Sequence, residues 1–163
     1  LENLLKWAQN RLDAIKVEFV EVNLLGKVEK VIRIYANQIS EKQLEVKTQI
    51  SNEDVILADK PVLQTVIRNI LSNAIKFSPE NGVILIRYEE KVLSIKDEGK
   101  GMTPEKAAAL LTNKFNKSSF GTRGEKGTGL GLSLANDLMR KMGGEIRVES
   151  SPNKGAIFQL VFK

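Results

Sequence analysis

Asn69, Asn73 and Lys76 recur at i, i+4 and i+7 within PVLQTVIRNILSNAIKF, so on a helix they share one stripe. Asparagine is mildly unfavourable in a helix interior because its amide competes for backbone hydrogen bonds. A solvated face accounts for such a stripe. So does an oxygen ligand for Mg²⁺ beside a cation for phosphate, since Mg²⁺ takes oxygen ligands and shares substrate phosphates. Further on, the apolar run in SIKDEGKGM ends at Asp97, with Gly99 and Gly101 at alternate positions. This fits an acidic hairpin turn. It equally fits a buried carboxylate accepting from a ligand amino group, with glycines that let a flat ring lie on the backbone. The third feature is GEKGTGLGLSLAND, Gly124 to Asp137, which packs four glycines into eight residues and then opens an amphipathic helix. Taken alone it suits a flexible surface loop. At a helix entrance, however, bare N–H groups and the positive end of the dipole suit phosphate. The P-loop ending Gly-Lys-Ser/Thr is missing, and the polar stretch Lys117 to Lys126 replaces the strand that a Rossmann fingerprint requires.

The elements that must position these groups are legible from periodicity and punctuation. LENLLKWAQNRLDAI spaces Leu1, Leu4, Leu5, Ala8, Leu12 and Ile15 as a helical face, with Trp7 packing on it. That face either docks on the domain or continues a helix bundle. VEFVEV reads as a strand, and Asn23 caps a helix expected to run through Ile39. LEVKTQI and VILA read as two strands around a turn at Ser51 to Glu53. Asp59 and Pro61 start the helix that carries Asn69, Asn73 and Lys76, and PENG ends it. VILIRY and VLSIKD form a hairpin, Thr103-Pro104 opens a short helix, and Lys114 to Lys126 is a long polar loop. After the Gly-rich helix, stopped by Gly143-Gly144, come the strands EIRVES and AIFQLVFK. The expected fold class is α/β, a two-layer sandwich of a mixed sheet and helices.

Composition narrows the chemistry. The 163 residues support one principal domain, and 42% hydrophobic with 28% charged residues is a globular balance. With no cysteine and no histidine, the chain has no disulfide, no thiolate metal site and no imidazole base. The net charge of +5 points to an anionic partner. Lys and Arg alternate with Glu and Asp throughout, without the clustered patch of a nucleic-acid binder. The sequence starts at Leu1 inside a helical stripe, which reads as part of a longer polypeptide.

The order of the motifs is more specific than any one of them. NILSNAIKF, DEGKGM and GEKGTGLGL resemble the N, G1 and G2 boxes of the ATP-binding catalytic domain of sensor histidine kinases, in the wider family that includes DNA gyrase and mismatch-repair ATPases. Phe115 resembles an F-box residue, and LENLLKWAQ is similar to the end of a dimerisation helix. The resemblance implies the Bergerat-type ATP-binding fold over residues 17–163, with residues 1–16 ending a dimerisation helix or linker. It implies ATP and Mg²⁺ as cofactors, with Asn73 on the metal, Asn69 in support and Lys76 near the phosphates. Phe77 would flank the nucleotide, Asp97 would accept from the adenine amine, and Gly99, Gly101 and Met102 would form the loop beneath the base. Gly127, Thr128, Gly129, Leu130, Gly131 and Leu132 would cradle the phosphates, with Arg123 or Lys126 reaching in from a lid. Implied partners are ATP or ADP, the dimerisation domain that carries the acceptor histidine, and a downstream response regulator. The parent protein would be a homodimer, with or without a membrane anchor, and this domain would be cytoplasmic. No nucleic-acid partner is implied.

Two departures stand out. Ile157 falls where the family often has a threonine near the Asp97–adenine pair, and the acceptor histidine is absent from the chain. A hydrolysing ATPase of the superfamily would need a carboxylate base on the N-box helix, where position 69 is Asn. A serine-kinase regulator would lack the dimerisation-helix tail. A basic nucleic-acid module predicts salt-dependent oligonucleotide binding and indifference to ATP.

Overall fold

In strand β4 (Val83–Glu89), Ile84 and Ile86 are buried and Arg87 is exposed; in β5 (Val92–Asp97), Leu93 and Ile95 are buried and Lys96 is exposed. This period of two gives the sheet one apolar face. The computed structural model describes residues 11–112, 121–124 and 129–163. Five strands form a mixed sheet in the order β2-β4-β5-β7-β6, where β2 is Glu45–Gln49, β6 Glu145–Ser150 and β7 Ala156–Val161. The β2–β4 pair is parallel and the other pairs are antiparallel. A separate antiparallel pair joins β1 (Val20–Asn23) to β3 (Val55–Ala58).

Three amphipathic helices complete the core: α1 (Leu24–Ile34), α3 (Lys60–Phe77) and α5 (Gly131–Lys141), with short helices α2 (Ala36–Glu41) and α4 (Pro104–Leu110) at the margins. Val28, Leu63, Ile67, Ile70 and Met139 from the helices join Ile86, Ile95 and Leu160 from the sheet in one buried cluster. Truncating one of these fully buried leucines or isoleucines to alanine costs about 2–5 kcal/mol. The observed architecture is the expected two-layer α/β sandwich.

Local chemistry sets the ends of the elements. Asp59 caps α3 by accepting from Val62 N at 3.0 Å, while its other oxygen accepts from Glu18 N at 2.9 Å. One buried carboxylate thus fixes both the helix start and the chain that enters β1. Gly143 (φ 78°) takes the left-handed position beyond α5, and the N–H of Gly144 reaches Met139 O at 3.0 Å, closing the helix.

Two expectations are corrected, and the sheet topology adds to a third. The first strand starts at Val20, not at Val17. The helix after Asn23 breaks at Tyr35 (φ −101°, ψ 15°), where the ladder tightens to a three-residue bond, Tyr35 N to Ile32 O at 3.1 Å. The turn at Ser51 to Asp54 is present, but the strands flanking it do not pair: β2 joins β4 and β3 joins β1. Of the N-terminal helical face, residues 1–10, with Trp7, lie outside the described residues. Residues 11–14 are helical and Leu12 packs on the core.

Candidate functional site

Helix α3 lays out the polar stripe because its other side is apolar and buried. Asn69, Asn73, Lys76 and Phe77 are all half-buried. The Asn69 amide donates back to Thr65 O at 2.9 Å, which holds the side chain along the helix. Its Oδ1 then lies 2.6 Å from where a Cβ on Gly131 would sit. A side chain at residue 131 would therefore displace the Asn69 amide where α5 begins against α3. Helices α1, α3 and α4 each start under a side-chain cap from Asn23, Asp59 and Thr103, whereas α5 starts at Leu130 with no side-chain cap. A helix start of this kind, with its N–H groups and positive dipole end, suits an anion.

The other end of the Gly-rich stretch rests on the same helix. Thr122 N donates to Lys76 O at 3.1 Å, and the Thr122 hydroxyl bonds Ser78 O at 3.0 Å. Contacts at positions 76 and 69 of α3 are seven residues apart, roughly 10 Å along the axis, and Asn73 lies between them. Gly129 takes φ 73°, a left-handed conformation that only glycine adopts without strain. Lys126, Gly127 and Thr128, and the expected F-box residue Phe115, lie outside the described residues. Arg123 bonds the Glu80 carboxylate at 2.9 Å and Glu41 O at 2.8 Å, an anchoring geometry at the end of α3 that the sequence reading did not foresee.

The Asp97 loop is built from the opposite side. Asp97 is 4% exposed at the end of β5, and its Oδ1 accepts from Gly99 N at 2.8 Å. Burial pushes its carboxyl above the ordinary aspartate range, and N–H groups of Gly99 and Ala156 pull part of the way back. The turn between β6 and β7 holds the loop: Gly155 N bonds Gly99 O at 3.0 Å, and Ser150 Oγ accepts from Met102 N at 3.0 Å. A Cβ at Gly99 would press on Phe77 O, 2.5 Å away, and one at Gly101 (φ 62°) would strike Ser151 O. Both glycines thus have reasons within the fold. Met102 packs against the edge of the core.

The register corrects the reading of Ile157. Asp97 faces Ala156 across the β5–β7 ladder, and Ile157 faces Lys96. Directly opposed residues share a sheet face and neighbours alternate, so Ile157 points away from Asp97. The residue beside the carboxylate is Ala156, which has no hydroxyl.

Two ammonium groups approach the Phe77 ring, Lys76 Nζ at 4.9 Å and Lys100 Nζ at 5.5 Å from its centroid. The site thus gathers a buried carboxylate, an aromatic ring beside cations, a helix-borne amide pair and the glycine-rich start of a helix. Residues 58–163 match the family described as histidine kinase-, DNA gyrase B-, and HSP90-like ATPase. The chain belongs to this ATPase family. It is 31% identical to the signal transduction histidine-protein kinase BarA of Escherichia coli K12, over 97% of this chain and 18% of that protein. It is 37% identical to sporulation kinase C of Bacillus subtilis, over 66% of this chain and 24% of that protein. Two solved structures agree in fold. Full-length ShkA in complex with AMPPNP has TM-score 0.75 at 28% identity, over 93% of this chain and 32% of that one. The catalytic domain of histidine kinase ThkA has TM-score 0.75 at 26% identity, over 88% of this chain and 93% of that one. Within the ATPase family, then, the chain is an ATP-binding catalytic domain of the histidine-kinase type, spanning about a fifth of the curated relatives' length.

Around this site, sequence reasoning missed Lys42, Lys100, Thr122 and Ser150. Lys42 and Thr122 meet at the end of α3, Lys100 sits over Phe77, and Ser150 holds the Asp97 loop. A lysine within SEKQ or a serine at a strand end carries no local signal of such a role.

Proposed function

We propose that the domain holds Mg-ATP across α3 and the start of α5 and delivers the γ-phosphoryl group to a histidine outside these 163 residues. The observation that carries the reading is the contact of Asn69 with Gly131, which brings the start of α5 alongside the polar stripe of α3. In this reading Asp97 accepts from the adenine amine over the Gly99, Gly101 and Met102 loop, and Phe77 flanks the nucleotide. Lys76 meets the phosphates, and the backbone from Lys126, Gly127 and Thr128 through Gly129, Leu130, Gly131 and Leu132 encloses them. Asn69 fixes the junction of the two helices.

The donor set suits Mg²⁺. Among the described residues no three His, Cys, Asp or Glu side chains gather into a metal cluster. The protein ligand would be the Asn73 amide oxygen, with phosphate oxygens and water completing the sphere, as Mg²⁺ accepts and softer metals do not. When bound, the ion would neutralise phosphate charge. Asn69 offers no carboxylate to activate water, so the chain's own residues bind and orient the nucleotide rather than hydrolyse it.

The acceptor would sit on the dimerisation domain of a homodimeric parent, and a response regulator would take the phosphoryl group onward. The name of BarA, a signal transduction histidine-protein kinase, supports histidine as the acceptor. Among the described residues no helix is long and apolar enough to cross a membrane, and the reading places the domain in the cytoplasm whether or not the parent has an anchor. The test is incubation with γ-labelled ATP. The chain alone should give neither labelled protein nor steady free phosphate. A separately expressed dimerisation domain carrying the histidine should become labelled when added. Steady hydrolysis by the chain alone would replace this reading with that of an ATPase.

A further inference from the structure

Lys42 ends α2 and is 3% exposed, so its ammonium is withdrawn from water. A buried ammonium is tolerated only where acceptors replace its hydration. Here Ile75 O and Lys76 O lie at 2.9 Å each and the Thr122 hydroxyl at 2.7 Å. Two of these acceptors are carbonyls in the last turn of α3, where the helix leaves acceptors unpaired and its dipole is negative. The third is a side chain just before the Gly-rich stretch. Around it, Thr122 N bonds Lys76 O at 3.1 Å, Lys42 O accepts from Asn81 N at 2.9 Å, and Arg123 bonds Glu80 and Glu41. Residues 41–42, 75–81 and 122–123 thus form one polar knot.

We propose that Lys42 is a positioning residue for the triphosphate: its ammonium joins Thr122 to the end of α3 and so sets where the Gly-rich stretch begins relative to Asn73 and Lys76. The inference rests on the reading of Mg-ATP bound across α3. A cap on a helix end needs only the two carbonyl bonds. The bond to Thr122 adds a link between segments 80 residues apart in sequence. The other end of the stretch has its own anchor, Gly131 against Asn69, and Asn73 lies between the two anchor points on α3. The Asp97 loop is held separately, by the turn between β6 and β7. Loosening the Lys42 link therefore acts on the phosphates and spares adenine.

The test is calorimetric titration of MgATP and of adenosine into the parent chain, Lys42→Met and Thr122→Val. Methionine keeps length and volume without the charge. Lys42→Met should weaken MgATP about tenfold or more and change adenosine by less than about twofold. Thr122→Val should weaken MgATP by a smaller factor in the same sense. The double variant should be no weaker than Lys42→Met alone, because both remove one link. Lower melting temperatures with the parent's ratio of MgATP to adenosine affinity would overturn the inference and leave Lys42 a helix cap. Should Lys42→Met not fold, the ratio measured on Thr122→Val decides the matter, since its hydroxyl is at the exposed end of the link. A parent that binds neither ligand would remove the nucleotide-site reading itself, and this inference with it.

Discussion

Gly131→Ala tests the junction of α3 and α5. A Cβ at residue 131 would sit 2.6 Å from Asn69 Oδ1, inside the 3.0 Å that real Cβ atoms essentially never breach. For Asn69 to swing away, its amide must give up the bond to Thr65 O at 2.9 Å, which costs about 1 kcal/mol. Overpacking of this kind costs about 1–3 kcal/mol. Replacing glycine by alanine in a helix returns up to about 1 kcal/mol. The net expectation is a loss near 1 kcal/mol, a fall of about 2–4 °C in melting temperature for a domain of this size. In the Asn69→Ala background the obstruction is gone, so Gly131→Ala should become neutral or stabilising. The double-mutant cycle, read by denaturant and thermal unfolding, should therefore show a coupling of about 1–3 kcal/mol. Gly131→Ala alone should also weaken MgATP more than adenosine, since it displaces the start of α5. Additivity within about 0.5 kcal/mol would refute the contact, and with it the reason given for glycine at 131.

Asp97→Ala should weaken adenine nucleotides about 10- to 150-fold, the worth of one charge-assisted hydrogen bond; GTP should bind poorly to the parent, and equal binding of ATP and GTP would remove the assignment. Because burial raises the Asp97 carboxyl above 3.8, the group protonates at higher pH than an ordinary aspartate. The ionised form accepts from the adenine amine, so adenosine affinity should fall as pH drops through the raised value. The same shift makes the folded state bind its proton more tightly than the unfolded chain, so Asp97 lowers stability as pH rises from the ordinary value through the raised one. Asn73→Ala should lose most of the gain in ATP affinity that Mg²⁺ gives while leaving adenosine unchanged and the helix intact; equal losses for both ligands would make Asn73 merely structural.

What the sequence revealed was local. The helix from Asp59 to Phe77 announced itself through a cap, a proline and apolar spacing, and the pair β4–β5 through its short link, because both are governed by neighbours in the chain. Tyr35 interrupted an apolar pattern that continues past it to Ile39, so periodicity alone carried the helix too far. The partners of β2 and β3 depend on sheet topology, which the turn at Ser51 to Asp54 does not encode. Ile157 was misplaced because a shift of one residue moves a strand side chain to the other face, and only the ladder with β5 sets that register. Gly99 and Gly101 were read as making room for a base, and the fold supplies nearer reasons in Phe77 O and Ser151 O. Lys42 and Thr122 were illegible, since their partners lie 33 to 80 residues away.

The central claim, that this is a nucleotide-binding domain, is tested most directly by titrating the chain with MgADP in a calorimeter and repeating the titration with a DNA oligonucleotide. The account predicts saturable one-to-one binding of MgADP. At about 100-fold over Kd it also predicts roughly 2.7 kcal/mol of added stability, a melting shift of about 5–10 °C. The oligonucleotide should give no heat. Absence of binding and of any thermal shift with MgADP, or salt-dependent binding of the oligonucleotide in its place, would contradict it.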